Sequence, residues 1–158
     1  MALFGFGKKK KETVLGAPAK GEVRPLKEVS DPAFCDGAMG PGFIVRPSED
    51  MIVAPVDGTV TMTFPTKHAL GITTESGAEI LIHIGIDTVT LEGEGFEALV
   101  QKGDSVQKNQ PLVRCDRALL QEKGVDSTVI LVLTNASDFS QVTIDPNDAE
   151  GAYMRLKK

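Results

Sequence analysis

Glu79-Ile80-Leu81-Ile82-His83-Ile84-Gly85-Ile86-Asp87 is the stretch that decides the fold. Isoleucine recurs at 80, 82, 84 and 86, the period of a strand with one buried face. His83 falls on the opposite face, between Leu81 and Gly85. The isoleucines anchor a stiff backbone and the imidazole points away from it. A reactive side chain on a strand is held more tightly than one on a loop. Gly85, lacking a side chain, is expected to leave the imidazole open to something large. The same pattern also fits a hydrogen-bonded structural histidine, so the surrounding chain has to decide.

On the N-terminal side, Val56 to Phe64 reads as a strand stopped by Pro65, followed by Thr66-Lys67-His68-Ala69-Leu70. Leu70–Thr74, a turn at Ser76-Gly77 and Ile80–Ile84 make a hairpin that can bring His68 to His83. Thr66 and His68, two residues apart, can share a face. On the C-terminal side, Ile86 to Leu91 reads as a tight turn or short helix. Asp116 to Gly124 is the clearest helix, with an Asp cap and a terminal Gly. Thr128 to Thr134 is a buried strand by its unbroken apolar run, and Ala152 to Leu156 a closing edge strand.

A repeat supports a two-part architecture. Ala17-Pro18-Ala19-Lys20-Gly21-Glu22-Val23 and Ala54-Pro55-Val56-Asp57-Gly58-Thr59-Val60 both read A-P-x-x-G-x-V. Proline presets a turn and glycine supplies unusual backbone geometry before a strand. Two copies suggest related halves packed face to face, so the expected fold is an all-β, compact antiparallel β-sandwich with one or two short helices. Between the copies, Val29 to Gly42 reads as an irregular loop whose Phe34 and Met39 either tuck into the core or rim a binding face. Phe43-Ile44-Val45 follows as a strand.

The 158 residues suit one domain with an adequate core. A formal net charge of −5 argues against nucleic acid and for a basic protein partner. Cys35 and Cys115 form no C-x-x-C pair and read as reduced thiols of a cytoplasmic protein. Residues 1–12 are expected to be a flexible tail, with Leu3, Phe4 and Phe6 ahead of Lys8 to Lys11. Such a tail makes at most weak contact with an anionic membrane surface. Residues 13–158 are the folded domain.

Two histidines allow several chemistries. They are too few ligands for a structural zinc, although a zinc shared between His68, His83 and a partner's carboxylate stays open. No G-x-S-x-G marks a hydrolase nucleophile. A histidine can be the nucleophile itself. Mostly neutral at pH 7, and more so when buried, it has a free lone pair for attack on an activated phosphoryl group. A second histidine and a threonine hydroxyl are suitable donors to the phosphoryl oxygens.

Phe64-Pro65-Thr66-Lys67-His68-Ala69-Leu70, then Leu81-Ile82-His83-Ile84-Gly85-Ile86-Asp87-Thr88-Val89 and Leu91-x-Gly93-x-Gly95-Phe96, carry a resemblance. The chain from about Val14 to Lys158 resembles the glucose-type enzyme IIA of the bacterial phosphoenolpyruvate-dependent sugar phosphotransferase system. The resemblance implies a phosphotransferase component without cofactor. His83 would accept a phosphoryl group from phospho-HPr and pass it to a cysteine on the IIB domain of a membrane sugar permease. His68 would stabilise the phosphoryl group, Thr66 would hydrogen-bond at the same place, and the Gly85 backbone would orient the nucleophilic ring. Asp31 and Asp87 would meet a basic residue of HPr. Phe34, Met39, Phe64, Leu81 and Val89 would form an apolar rim. Regulatory protein targets that sense the phosphorylation state would fit the same family. The tail resembles the leader of free-standing members. Asn109-Gln110 replaces the family's usual Gly-Gln or Gly-Asp, and Asn tolerates the left-handed backbone such a turn needs.

The competing reading is a biotinyl- or lipoyl-type carrier module modified at Lys67, suggested by the A-P-x-x-G-x-V and K-G-D-x-V patterns. No M-K-M or D-K-A turn surrounds Lys67. A zinc-peptidase sandwich would need an H-x-H pair, and His83 has isoleucines on both sides.

Overall fold

The computed structural model describes residues 12–158. The expected tail, with its apolar residues and lysines up to Lys11, lies outside the described residues. Among them, no helix is long and apolar enough to cross a membrane.

Among the described residues, twelve strands and two short α-helices follow one another: β1 (Glu12–Leu15), β2 (Ala19–Pro25), α1 (Pro32–Cys35), β3 (Gly42–Val53), β4 (Gly58–Thr63), β5 (Ala69–Thr73), β6 (Glu79–Ile84), β7 (Phe96–Ala98), β8 (Ser105–Val106), β9 (Pro111–Cys115), α2 (Arg117–Glu122), β10 (Val129–Leu133), β11 (Gln141–Ile144) and β12 (Met154–Lys157). A nine-stranded sheet runs β7-β9-β3-β10-β6-β5-β4-β8, with β2 on the other edge of β3. A three-stranded sheet runs β11-β12-β1. Every strand pairing is antiparallel. The expected antiparallel all-β sandwich is the fold, its large sheet curled and packed against the small one.

The isoleucine ladder behaves as its period requires. Ile80, Ile82 and Ile84 are fully buried in the main core with Phe43, Ile72 and Leu131. Ile86 lies past the end of β6 and packs instead against a second apolar cluster of Leu26, Val29, Phe34, Ile44, Ile130 and Val132. Strand β10 serves both clusters: Val129, Leu131 and Leu133 face one, Ile130 and Val132 the other. A central strand covered on both faces has no reason to alternate, which explains its unbroken run.

Three elements differ from expectation. Strand β3 is 12 residues long and continues through Pro47 well beyond Val45. It is tolerated because β3 changes partners there: Val45 pairs with Val129 of β10, while Met51 pairs with Arg114 of β9. No ladder on that edge needs the missing N–H. Strand β12 is not an edge, because β1 returns to pair with its free side, Leu15 opposite Met154. The loop between β2 and β3 contains α1, capped by the Asp31 carboxylate, which accepts from Ala33 N–H at 2.9 Å. Helix α2 starts as predicted, with Asp116 accepting from Leu119 N–H. Asn109 takes the left-handed conformation (φ 74°) that its turn was expected to need.

The two repeat copies meet at their Ala-Pro dipeptides. Gly16 N–H donates to Pro55 C=O at 2.9 Å and Val53 N–H to Pro18 C=O at 2.7 Å. A side chain on Gly21 would strike the Arg46 carbonyl, and one on Gly58 would strike Ile72 and Thr73. Glycine in both copies therefore admits a neighbouring strand at close range.

Candidate functional site

The site is assembled by β5, β6, the turn that precedes β5 and the turn that follows β6. Ala69 of β5 is paired with His83 of β6, and His83 with Ile130 of β10. His68, the residue before β5, is thereby delivered beside His83, and its carbonyl accepts from Ile84 N–H at 2.7 Å. The imidazole rings stand edge to face, 5.0 Å between centroids and 80° between planes. The Phe34 ring lies 5.2 Å from His83, and the Phe64 ring 5.6 Å from His68.

Each histidine is held through Nδ1. His83 Nδ1–H donates to the Gly85 carbonyl at 2.8 Å, because a carbonyl can only accept. The neutral ring therefore keeps its lone pair on Nε2. Thr66 Oγ1 lies 2.6 Å from His68 Nδ1. With the hydroxyl donating, His68 carries its proton on Nε2 and becomes a donor.

Gly85 acts differently from the first expectation. It is buried and does not open space beside the ring. Its φ of 82° turns the carbonyl back toward His83, and a Cβ there would run into Thr88 Cγ2 and come to 2.9 Å from the Asp126 carbonyl. An alanine at this position meets both backbone strain and steric overlap, together about 2–4 kcal/mol. Thr88 completes the arrangement from below. Fully buried, it donates from Oγ1 to the Ile84 carbonyl at 2.5 Å. Sequence reasoning missed Thr88; its signal was a small hydroxyl residue directly after the turn that Gly85 and Asp87 make.

Both imidazoles are held below their ordinary value of 6.5. For His68 the main cause is burial, reinforced by repulsion from His83. For His83 burial dominates, opposed by the Gly85 carbonyl and by the carboxylates of Asp31 and Asp87. The acidic pair thus sits near enough to act on the nucleophile, although it comes from separate elements. Asp87 is exposed and left-handed (φ 59°), and Asp31 is the half-buried cap of α1.

The expected rim divides in two. Met39, Phe64 and Val89 are exposed, and Leu81 is half-buried on the same face of β6 as His83. Phe34 is only 5% exposed, so it buttresses the imidazole from within the second cluster instead of lining the outer surface. The α1 turn, invisible to pattern reading, rotates it inward. Lys67 is exposed at φ 61° in the turn before β5. No group of three His, Cys, Asp or Glu among the described residues could hold a metal ion. A zinc at the two histidines would need its remaining ligands from a partner.

Two adjacent imidazoles, both held below their ordinary pKa and each fixed through Nδ1, are equipped to take up and hold an electrophilic group. Residues 13–139 match the family described as "phosphoenolpyruvate-dependent sugar phosphotransferase system, EIIA 1". The chain is 44% identical over 157 residues to the glucose-specific EIIA component of Bacillus cereus, covering 98% of this chain and 95% of that one. It is 47% identical over 127 residues to the beta-glucoside-specific EIIBCA component of Bacillus subtilis, covering 80% of this chain and 21% of that protein. Among solved structures, glucose permease IIA from Mycoplasma capricolum superposes with a TM-score of 0.76 at 33% identity, covering 92% and 96% of the two chains. The fold is thus that of a component of the sugar phosphotransferase system. The chain belongs to its EIIA 1 family, among the glucose-type components.

Proposed function

We propose that this protein is a cytoplasmic phosphocarrier that takes a phosphoryl group from phospho-HPr on Nε2 of His83 and gives it to the active cysteine of a permease IIB domain. The single observation that carries the reading is the bond from His83 Nδ1–H to the Gly85 carbonyl. It fixes the tautomer and leaves Nε2 as the only nucleophilic nitrogen. In the uptake step the Nε2–P bond forms as the donor's N–P bond breaks. In the release step the cysteine sulfur attacks phosphorus and the electron pair returns to Nε2.

His68 serves both steps as a donor. With 5.0 Å between ring centroids, a phosphoryl oxygen on His83 comes within reach of the His68 Nε2–H. Thr66 holds that proton in place through Nδ1. Hydrogen bonding by neutral donors stabilises the phosphoryl group modestly, which suits a carrier that must release it. Phosphohistidine is further destabilised by the nearby carboxylates of Asp31 and Asp87, which repel the incoming dianion once the basic donor that they attract has left.

Intact-mass analysis after incubation with phosphoenolpyruvate, enzyme I and HPr tests this. One acid-labile phosphoryl group is expected on the wild type and none on His83→Ala. His68→Ala should still be phosphorylated but fail to pass the group to the IIB domain. A wild type that stays unmodified beside active HPr would refute the carrier role.

A further inference from the structure

The Gly85 turn is pinned by the segment between α2 and β10. Residues 125–128 of that segment have no regular structure. Two of their carbonyls nonetheless reach the turn. Thr128 C=O accepts from Gly85 N–H at 2.8 Å, and Asp126 C=O accepts from Ile86 N–H at 2.9 Å. The Asp126 side chain shapes the segment. Its Oδ1 accepts from Thr128 N–H at 2.8 Å and from Thr128 Oγ1–H at 2.7 Å. An aspartate bonded to the backbone two residues on makes a local turn where regular structure is missing. Thr128 is buried, so this exposed carboxylate also satisfies a hydroxyl that the core encloses.

The bond to Asp126 continues the one that His83 makes. Gly85 C=O and Ile86 N–H are the opposite ends of one trans peptide. His83 Nδ1–H donates to the carbonyl end at 2.8 Å, and the amide end donates to Asp126 C=O. Hydrogen bonds in series polarise one another, so the Asp126 carbonyl makes the Gly85 carbonyl a better acceptor. The gain is largest when the ring becomes charged. As the Nε2–P bond forms and the donor's N–P bond breaks, the His83 imidazole becomes cationic while Nδ1 keeps its proton. A bond that strengthens as that charge develops lowers the barrier and not the ground state alone.

We infer that Asp126 is a positioning residue for His83: its carboxylate folds the 126–128 turn so that its own carbonyl braces the Gly85–Ile86 peptide, which holds the His83 proton on Nδ1 and keeps the Nε2 lone pair free. The inference rests on the carrier reading above and adds a residue that acts through the backbone alone. The carboxylate serves by accepting two hydrogen bonds and not by its charge, so an amide oxygen in the same place should do the same work.

Asp126→Asn keeps the accepting oxygen and Asp126→Ala removes it. The histidine ring nitrogens of the full chain are followed by nitrogen NMR at about pH 7.5, where both rings are neutral, with circular dichroism to verify folding. Initial rates of phosphoryl uptake are measured against phospho-HPr concentration. Wild type and Asp126→Asn are expected to show His83 with a pyrrole-like Nδ1 and a pyridine-like Nε2. In Asp126→Ala the two shifts should draw together as the proton spends time on Nε2. Its kcat should fall about two- to tenfold, the worth of one neutral hydrogen bond, with KM within about twofold of wild type. Thr128→Val removes one of the two donors to Asp126 and should move the nitrogens the same way by less, which keeps the test open if Asp126→Ala does not fold. Wild-type shifts in both Asp126→Ala and Thr128→Val would overturn the inference while leaving the carrier reading intact. So would an equal loss in Asp126→Asn and Asp126→Ala, which would make the charge the active feature, or a rise in KM alone, which would make Asp126 a docking contact. A wild type with the expected shifts that takes up no phosphoryl group from active HPr would overturn the carrier reading and leave the brace on His83 standing.

Discussion

His83 and His68 are useful because they are neutral, and their neutrality has a thermodynamic signature. Burial lowers both pKa values below 6.5, so the unfolded chain binds protons more readily than the folded one. Their contribution to stability is complete above about pH 6.5 and is lost as pH falls through the lowered folded values. Imidazole resonances followed by NMR should therefore show both midpoints below 6.5, and the urea midpoint should decline over the same interval. Titration of either ring at or above 6.5 would contradict the burial argument. At this scale the sequence was informative. The period-two ladder identified which face His83 occupies, and the Thr66-Lys67-His68 spacing identified its companion. What pattern could not supply was the burial of Gly85 against Thr88, because that depends on a carbonyl from Asp126, 41 positions away along the chain.

Helix α1 shows how an element only four residues long can carry two functions. Its cap, Asp31, fixes the turn that rotates Phe34 against His83, and the same carboxylate draws the His83 pKa upward. Replacement separates the two roles. Asp31→Asn retains a capping oxygen and removes the charge, so stability should stay within about 0.5 kcal/mol while the His83 midpoint falls further. Asp31→Ala should cost about 1 kcal/mol as well. Urea denaturation and NMR titration of the two variants check both parts, and an unchanged His83 midpoint in Asp31→Asn would remove the carboxylate from the account. Elements with an uninterrupted period, such as β6 and β10, were legible in advance. Those whose residues change partner or register midway were not. Pro47 disguised the length of β3, and the alternation Val60, Met62, Phe64 points all three inward until the bulge at Thr61 is known.

On the scale of the whole molecule, the core protects what the surface offers. Cys115 is buried, and desolvation, aided by the carboxylates of Asp50 and Asp116, pushes its thiol up to about 12. Cys35, half-buried at the end of α1, is the accessible thiol. A disulfide-exchange reagent at pH 8 should thus titrate one thiol in the native protein and two in urea, and rapid reaction of both in the native state would show that the core opens. The sandwich class followed from strand spacing, glycine turns and the A-P-x-x-G-x-V repeat. The partnership of the first strand with the last did not, since nothing local in Glu12–Leu15 announces a mate more than a hundred residues away.

That partnership bears on how such a unit can be reused. Glu12 stands opposite Lys157 in the small sheet, so the described chain enters and leaves the fold at adjacent backbone positions. A body whose two ends share a single doorway can be grafted into a longer polypeptide, or have its ends spliced and new ones cut elsewhere, without dismantling its interior. The Bacillus subtilis relative, in which the matched region is a fifth of a much longer protein, is an arrangement that such geometry permits.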